Sequence, residues 1–241
     1  MRIAIVSDIH GNRTALEAVM ADLRITAPDE VLFGGDLADS GSSPVDVLDC
    51  VRDRGWRGVC GNTDDMLVRP ESLEAFAAQS KAPPALWDAI RAIAAATREA
   101  LGEERLAWLS RLPAALRQGD LAVVHARPGD CWRAPAAAAT EVQLEEIYRE
   151  LGAQTVVYGH THLPSVRRLS GTPQFLLNCG SAGLPYDGDP RASYLLLDED
   201  VPTIRRVEYD MERELQLLAG CGLPGAAWTA KTLRASGPTM P

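Results

Sequence analysis

Short apolar runs closed by polar or glycine positions recur along this chain. RIAIVS (2–7), EVLFGG (30–35), WRGVCG (56–61), LAVVH (121–125) and TVVYG (155–159) each read as a buried strand. QFLLN (174–178), SYLLLD (193–198) and TIRRVEY (203–209) add three more, the last alternating so that one face can meet solvent. Between them the spacing becomes helical. In NRTALEAVMADLRIT (12–26) apolar residues fall at 16, 19, 20 and 23, one face of a helix. PVDVLDCVRDR (44–54) begins with proline, as helices favour at their first position. ALWDAIRAIAAATREAL (85–101) and EERLAWLSRL (103–112) lie in a long alanine-rich insertion, and ATEVQLEEIYREL (139–151) follows.

Strand–helix alternation through residue 160 predicts a mostly parallel sheet. The strands after it, with no helices between them, predict a second sheet. The tail (210–236) reads as two short helices broken at GCGLPG. There is no internal repeat and no low-complexity linker. The expectation is one domain over 1–241, with a helical cap at 66–112.

Composition narrows the classes. The 241 residues are 46% hydrophobic and 24% charged, an ordinary globular balance. No apolar run reaches the roughly 18–20 residues that span a bilayer. The N-terminal MRIAIVSDIHGN is charged too soon for a signal peptide, so a cytoplasmic protein without membrane association is expected. Five cysteines without a CxxC pair argue for free thiols over disulfides or a thiolate–zinc site. The net charge of −9 repels polyanions and speaks against a nucleic-acid polymer as partner. An anionic substrate then needs cations brought to the site locally.

The polar residues that end the strands supply a way to do that. In open α/β sheets, ligands bind beyond the carboxyl ends of strands. Those positions hold Asp8 and His10, then Asp36, Asn62, His125, and finally His160 and His162, which takes in all four histidines of the chain. Imidazole, carboxylate and amide oxygen without thiolate suit divalent ions such as Mn²⁺, Fe²⁺ or Zn²⁺. Seven donors are too many for one open catalytic metal and suffice for two ions sharing a carboxylate.

The blocks SDIHGN, GGDLADSG, GNTDD, VVHARPGD and GHTH, in that order, resemble those of the calcineurin-like metallophosphoesterase superfamily. NCGSAGLPYDGDPRASYLLLD resembles the C-terminal signature of its small bacterial diadenosine-tetraphosphatase-like and phosphodiesterase branch. The resemblance covers residues 1 to about 200. It implies an α/β four-layer sandwich: two facing mixed sheets flanked by helices. It also implies one ion on Asp8, His10, Asp36 and His162 and a second on Asp36, Asn62, His125 and His160, with Asp36 bridging. Mn²⁺ is the first expectation, with Fe, Zn, Ni or Co as alternatives. Asp8, Asp36 and Asn62 are then the catalytic core of a hydrolase in which a metal-activated hydroxide attacks phosphorus.

One block departs from the pattern. Where the superfamily often has Gly-Asn-His-Asp, this chain has Gly61-Asn62-Thr63-Asp64. Thr63 can donate a hydrogen bond but is no general acid near neutral pH. The expected substrate is therefore small, phosphorylated and nucleotide-like or a diester, with a good leaving group. A phosphomonoesterase or protein phosphatase, or a non-catalytic binding protein on a degenerate fold, are the alternatives. Three substrate contacts are expected at Asn12, Thr63 and Arg127, although Asn12 equally suits a helix N-cap and Arg127 a surface ion pair. Trp132 is a candidate for the cleft wall, and self-association into a homo-oligomer is compatible with the sequence.

Overall fold

The computed structural model describes residues 1–199 and 201–241. Two five-stranded sheets carry the chain. The first is built on β1 (Arg2–Val6), β2 (Glu30–Phe33) and β3 (Arg57–Gly58), which run parallel. The second holds β4 (Ala115–Gln118), β5 (Leu121–Val124), β6 (Thr155–Tyr158), β7 (Ser165–Arg168) and β8 (Phe175–Asn178), in the order β4-β5-β6-β8-β7. Strands β9 (Ala192–Asp198) and β10 (Val201–Val207) return to the first sheet, where β9 lies antiparallel to β1.

The apolar runs explain the layering. Along β1, Ala4 and Val6 face helices α1 (Arg13–Thr26) and α2 (Pro44–Asp53), while Ile3 and Ile5 face the second sheet. On β5, Leu121 and Val123 face Ile3 and Ile5, while Ala122 and Val124 pack with Leu144 and Tyr148 of α6 (Glu141–Tyr148). These two central strands are covered on both faces, so their sequences read as continuous hydrophobic runs rather than alternating ones. The four layers are thus helices, sheet, sheet and helix.

Some expectations need correction. The second sheet does not begin after residue 160, because β4, β5 and β6 already belong to it, and the last two strands do not belong to it at all. β9 pairs with β1 because both carry apolar side chains on both faces, and an Arg2–Asp198 ion pair closes its end. The third predicted strand shrinks to two residues. Strands β4 and β7 were not predicted; they are sheet edges rich in polar residues.

The insertion contains α3 (Asn62–Val68), α4 (Pro70–Ala77) and α5 (Pro84–Leu109). Helix α5 is interrupted at Gly102, with φ 69°, where the sequence had implied a break. The tail forms α7 (Met211–Gly220) and α8 (Ala226–Ala235). It is tied to the loop after β2, where the Thr229 hydroxyl donates to the Ser40 carbonyl, and to α1, where the Thr14 hydroxyl donates to Glu214. No helix among the described residues is long and apolar enough to cross a membrane.

Candidate metal centre

The loops that leave β1, β2 and β6 turn sharply. Asp8, His10, Asp36, His160 and His162 all have φ between 50° and 64°, in the left-handed region. That conformation costs an L residue roughly 1–2 kcal/mol. Backbone hydrogen bonds hold it in place: Asp8 N donates to the Gly35 carbonyl and His10 N to the Asp36 carbonyl, both at 3.0 Å. Gly35, at φ 96°, lets the β2 loop pass; a Cβ there would lie 2.6 Å from Gly61 N and 2.9 Å from the His125 ring. Gly159 has a similar duty, since its Cβ would come within 2.3 Å of the Asp8 carboxylate.

These turns bring the strand-end residues together. One carboxylate oxygen of Asp36, Oδ2, lies 3.6 Å from His10 Nε2 and 3.5 Å from His125 Nε2. Its other oxygen accepts from Thr63 N, at the start of α3. On one side, His10 Nε2 and His162 Nε2 are 3.1 Å apart, and Asp8 Oδ1 is 3.2 Å from His162. On the other, Asn62 Oδ1 is 3.0 Å from His125 Nε2 and 2.8 Å from His160 Nδ1. Asp8, His10, Asp36 and His162 are buried and offer ligand atoms within 4.8 Å of one another.

The hydrogen bonds behind the rings fix which nitrogen faces inward. Nδ1 of His10 meets the Asp39 carbonyl, that of His125 the Gly34 carbonyl, and that of His162 the Leu184 carbonyl. A carbonyl only accepts, so Nδ1 carries the proton and a neutral ring turns a bare Nε2 lone pair inward. Two such lone pairs 3.1 Å apart, between His10 and His162, repel unless a cation lies between them. The donor set therefore fits a divalent ion.

Charge follows the same logic. Burial opposes ionisation of Asp36, but His125, His10 and His160 outweigh it and hold the carboxyl below its ordinary range. Burial and then His162 lower His10; burial and then His125 push His160 down to about 4. His125 goes the other way: burial works against its charge, yet Asp36 and Asp8 raise it to about 10. The carboxylates that favour a proton on the His125 ring favour equally a metal cation in its place, and with a metal at Nε2 the ring is neutral.

The remaining candidates fall in different places. Thr63 lines the cavity over the donors, with its hydroxyl buried and unpartnered. Asn12 caps α1, accepting from Ala15 N at 2.9 Å and donating to the Gly183 carbonyl at 2.9 Å, which commits both ends of its amide to the loop. Arg127 donates to the Ala134 carbonyl and lines a neighbouring cavity with Cys60 and Asp65 instead. Trp132 lines the cavity over the donors. A larger cavity of about 480 Å³ opens between Met1, Gln118, Gln154 and Phe175, at the other end of the strands and without a histidine.

Two contributors, Ser181 and Tyr186, escaped the sequence reading, and a third, Asp64, was legible there only as a support for Asn62 or a helix cap. Asp64 accepts from the backbone N–H of Gly61, Asp36 and Leu37, joining two of the loops. Ser181 donates to the Asp8 carbonyl and accepts from Leu184 N. Tyr186 stacks on His162, ring centroids 4.2 Å apart. The last two lie in the quoted NCGSAGLPYDGD segment, which marks the region but not the contacts.

Known proteins share this arrangement of chain. A metallophosphoesterase structure from Sphaerobacter thermophilus superposes with a TM-score of 0.78 at 27% identity, covering 98% of this chain and all of that one. An uncharacterized protein of Methanocaldococcus jannaschii is 27% identical over 92% of this chain and 93% of its own length. A symmetrical bis(5'-nucleosyl)-tetraphosphatase of Methylococcus capsulatus is 28% identical over 150 residues, 61% of this chain and half of that protein. The model of the calcineurin-like phosphoesterase superfamily domain matches residues 1–201, a span that takes in every strand-end donor, and the chain belongs to that superfamily.

Proposed function

We propose that the chain is a phosphoesterase working with two divalent ions. Asp8, His10, Asp36 and His162 would hold one, and Asp36, Asn62, His125 and His160 the other. The observation that carries this reading is the position of Asp36 Oδ2, nearly equidistant from His10 and His125, with a separate set of inward lone pairs on each side. Bound there, such a pair supplies Lewis-acid stabilisation of phosphoryl charge and a water of lowered pKa. Mn²⁺ is the ion we expect.

The chain's own residues do the rest. Asp36 sets the spacing of the two halves through one oxygen while its other oxygen is locked by Thr63 N. Asn62 adds a ligand without adding negative charge. The carbonyls behind His10, His125 and His162 keep each ring in the tautomer that faces inward. Thr63 presents a hydroxyl where the related block often has an imidazole. A general acid is worth about 10²–10⁴-fold, so esters with good leaving groups are favoured. Phosphodiesters and nucleotide-like esters fit this better than alkyl monoesters, and the Methylococcus relative's name agrees with a nucleotide substrate. All seven donors are retained, which argues against a retired, purely binding role.

The test joins metal analysis to turnover. Mn²⁺-loaded protein is expected to hold two equivalents and to hydrolyse bis-(p-nitrophenyl) phosphate faster than an alkyl phosphomonoester. Asp36→Ala and His160→Ala should lose both metal and turnover. A single equivalent at saturation, or turnover that survives Asp36→Ala, would overturn the reading.

A further inference from the structure

The cavity over the donors has a volume of about 300 Å³, and its floor and walls differ in chemistry. The floor is polar, with His10, Asp36, Asn62, His160 and His162. The walls are apolar, with aliphatic side chains such as Leu73 and Ile90 between five aromatic ones: Phe76 of α4, Trp87 of α5, Trp132 after β5, Tyr186, and Trp228 of α8. Phe76 joins two of them, with centroids 5.8 Å from Trp87, edge-on, and 5.0 Å from Trp132. Trp132 is anchored by its indole N–H, which donates to Asp65 at 2.9 Å, and Trp228 by its own, which donates to the Thr239 carbonyl. These walls come from the cap, the loop after β5, the loop after β8 and the tail, so the aromatic lining is assembled by the fold and is not the by-product of one helix.

Three features narrow what this space accepts. Among the described residues no Lys or Arg lines it. A chain of several phosphates would meet counter-charge only at the floor, whereas proteins grip extended phosphates with Arg and Lys forks. Its volume also lies at the low end of the roughly 300–1,000 Å³ that takes a drug-sized ligand, enough for one ring system beside a phosphoryl group. Three lining groups, the Asp39 Oδ1, the Thr63 hydroxyl and the Trp87 indole N–H, are buried without a partner in the protein. A buried donor without a partner is uncommon, and a ligand with a polar edge would meet it.

We propose that this cavity selects the organic group of the substrate: a flat, uncharged aromatic such as an aryl ring or a nucleobase, attached to a single phosphoryl centre, and not a polyphosphate chain. The inference rests on the phosphoesterase reading for what lies at its floor. Its specificity-determining residues are Phe76, Trp87 and Trp132.

The test compares ligands with the same anionic head. Phenylphosphonate and methylphosphonate are titrated into Mn²⁺-loaded protein, read by intrinsic tryptophan fluorescence and by inhibition of p-nitrophenyl ester hydrolysis. Phenylphosphonate is expected to bind about tenfold or more tightly, the scale set by removing a ring-sized apolar area from water. Trp132→Ala and the milder Phe76→Leu should each shrink that ratio. A ratio near one overturns the inference, as does a dinucleoside polyphosphate turned over with higher kcat/KM than an aryl diester. Ester turnover with a ratio near one leaves the phosphoesterase reading standing. A tenfold ratio without turnover of any ester supports the cavity assignment and removes the hydrolytic reading.

Discussion

Asp64 touches no donor atom at the floor of the cleft, yet the geometry makes it a main support of the centre. It is fully buried, and its carboxylate accepts from Gly61 N at 2.9 Å, Asp36 N at 2.8 Å and Leu37 N at 3.0 Å. Asp64→Ala leaves three buried N–H groups without an acceptor. Each such group costs about 1–3 kcal/mol, and partial relaxation brings the sum to roughly 3–6 kcal/mol. That is a large share of the roughly 5–15 kcal/mol that stabilises a typical domain. It also frees the backbone of Asp36, which is held at a φ of 55°. Urea unfolding in the presence of chelator reads the stability term, and Mn²⁺ titration reads the positioning term. Asp64→Asn keeps one carbonyl acceptor and should fall between wild type and Ala in both. The exposed Asp53→Ala serves as control and should stay within about 0.5 kcal/mol of wild type. A loss below about 1 kcal/mol for Asp64→Ala, together with unchanged Mn²⁺ affinity, refutes the argument that these bonds hold the loops.

Two further outcomes are expected. Gly159→Ala drives a Cβ to 2.3 Å from Asp8 Oδ2 and 2.4 Å from the Ser7 hydroxyl, whereas Gly220→Ala meets nothing within 4 Å. The first should weaken Mn²⁺ binding about 10–100-fold, as displacement of a ligand's support does, and the second should leave it unchanged; equal affinities contradict the close approach. Asp189 is held down to about 2, chiefly by the hydrogen-bonded Arg191 guanidinium, against the pull of partial burial. A lowered folded-state value contributes stability above the unfolded carboxylate range near 4, and that contribution is lost as pH falls through about 2. Asp189→Asn should therefore be less stable than wild type at neutral pH, by under about 1 kcal/mol for so exposed a pair. Urea midpoints across a pH series should show the gap closing between pH 4 and 2, and a gap that widens on acidification contradicts the sign.

The convergence of these side chains was legible in the sequence because the parallel strands of both sheets end on the same side of the sandwich, so a polar residue after each apolar run marks a shared place. Sheet membership was less legible. Nothing local in SYLLLD states that it pairs with β1 rather than continuing the second sheet; that follows from which faces the other elements leave uncovered. Edge strands such as Ser165–Arg168 carry exposed arginines and lack the apolar signature of the centre. The loop side chains divided. Asn12 answered to its local backbone as a cap, a choice the sequence had left open, while the direction taken by Arg127 depends on the Ala134 carbonyl, seven residues further along. The aromatic cavity was the least legible feature, since its walls lie far apart in the chain and only the packed cap and tail bring them together.

The facing rings of His10 and His162 are 152 positions apart in the chain. During synthesis the first emerges from the ribosome long before the second, and a nascent fragment ending short of Gly159 offers only part of the coordination sphere. The high-affinity metal loading proposed above would therefore come after translation of the second sheet rather than alongside it. On the phosphoesterase reading proposed above, a prematurely released product would lack the means to cleave esters, and turnover would report that the polypeptide has folded through both halves.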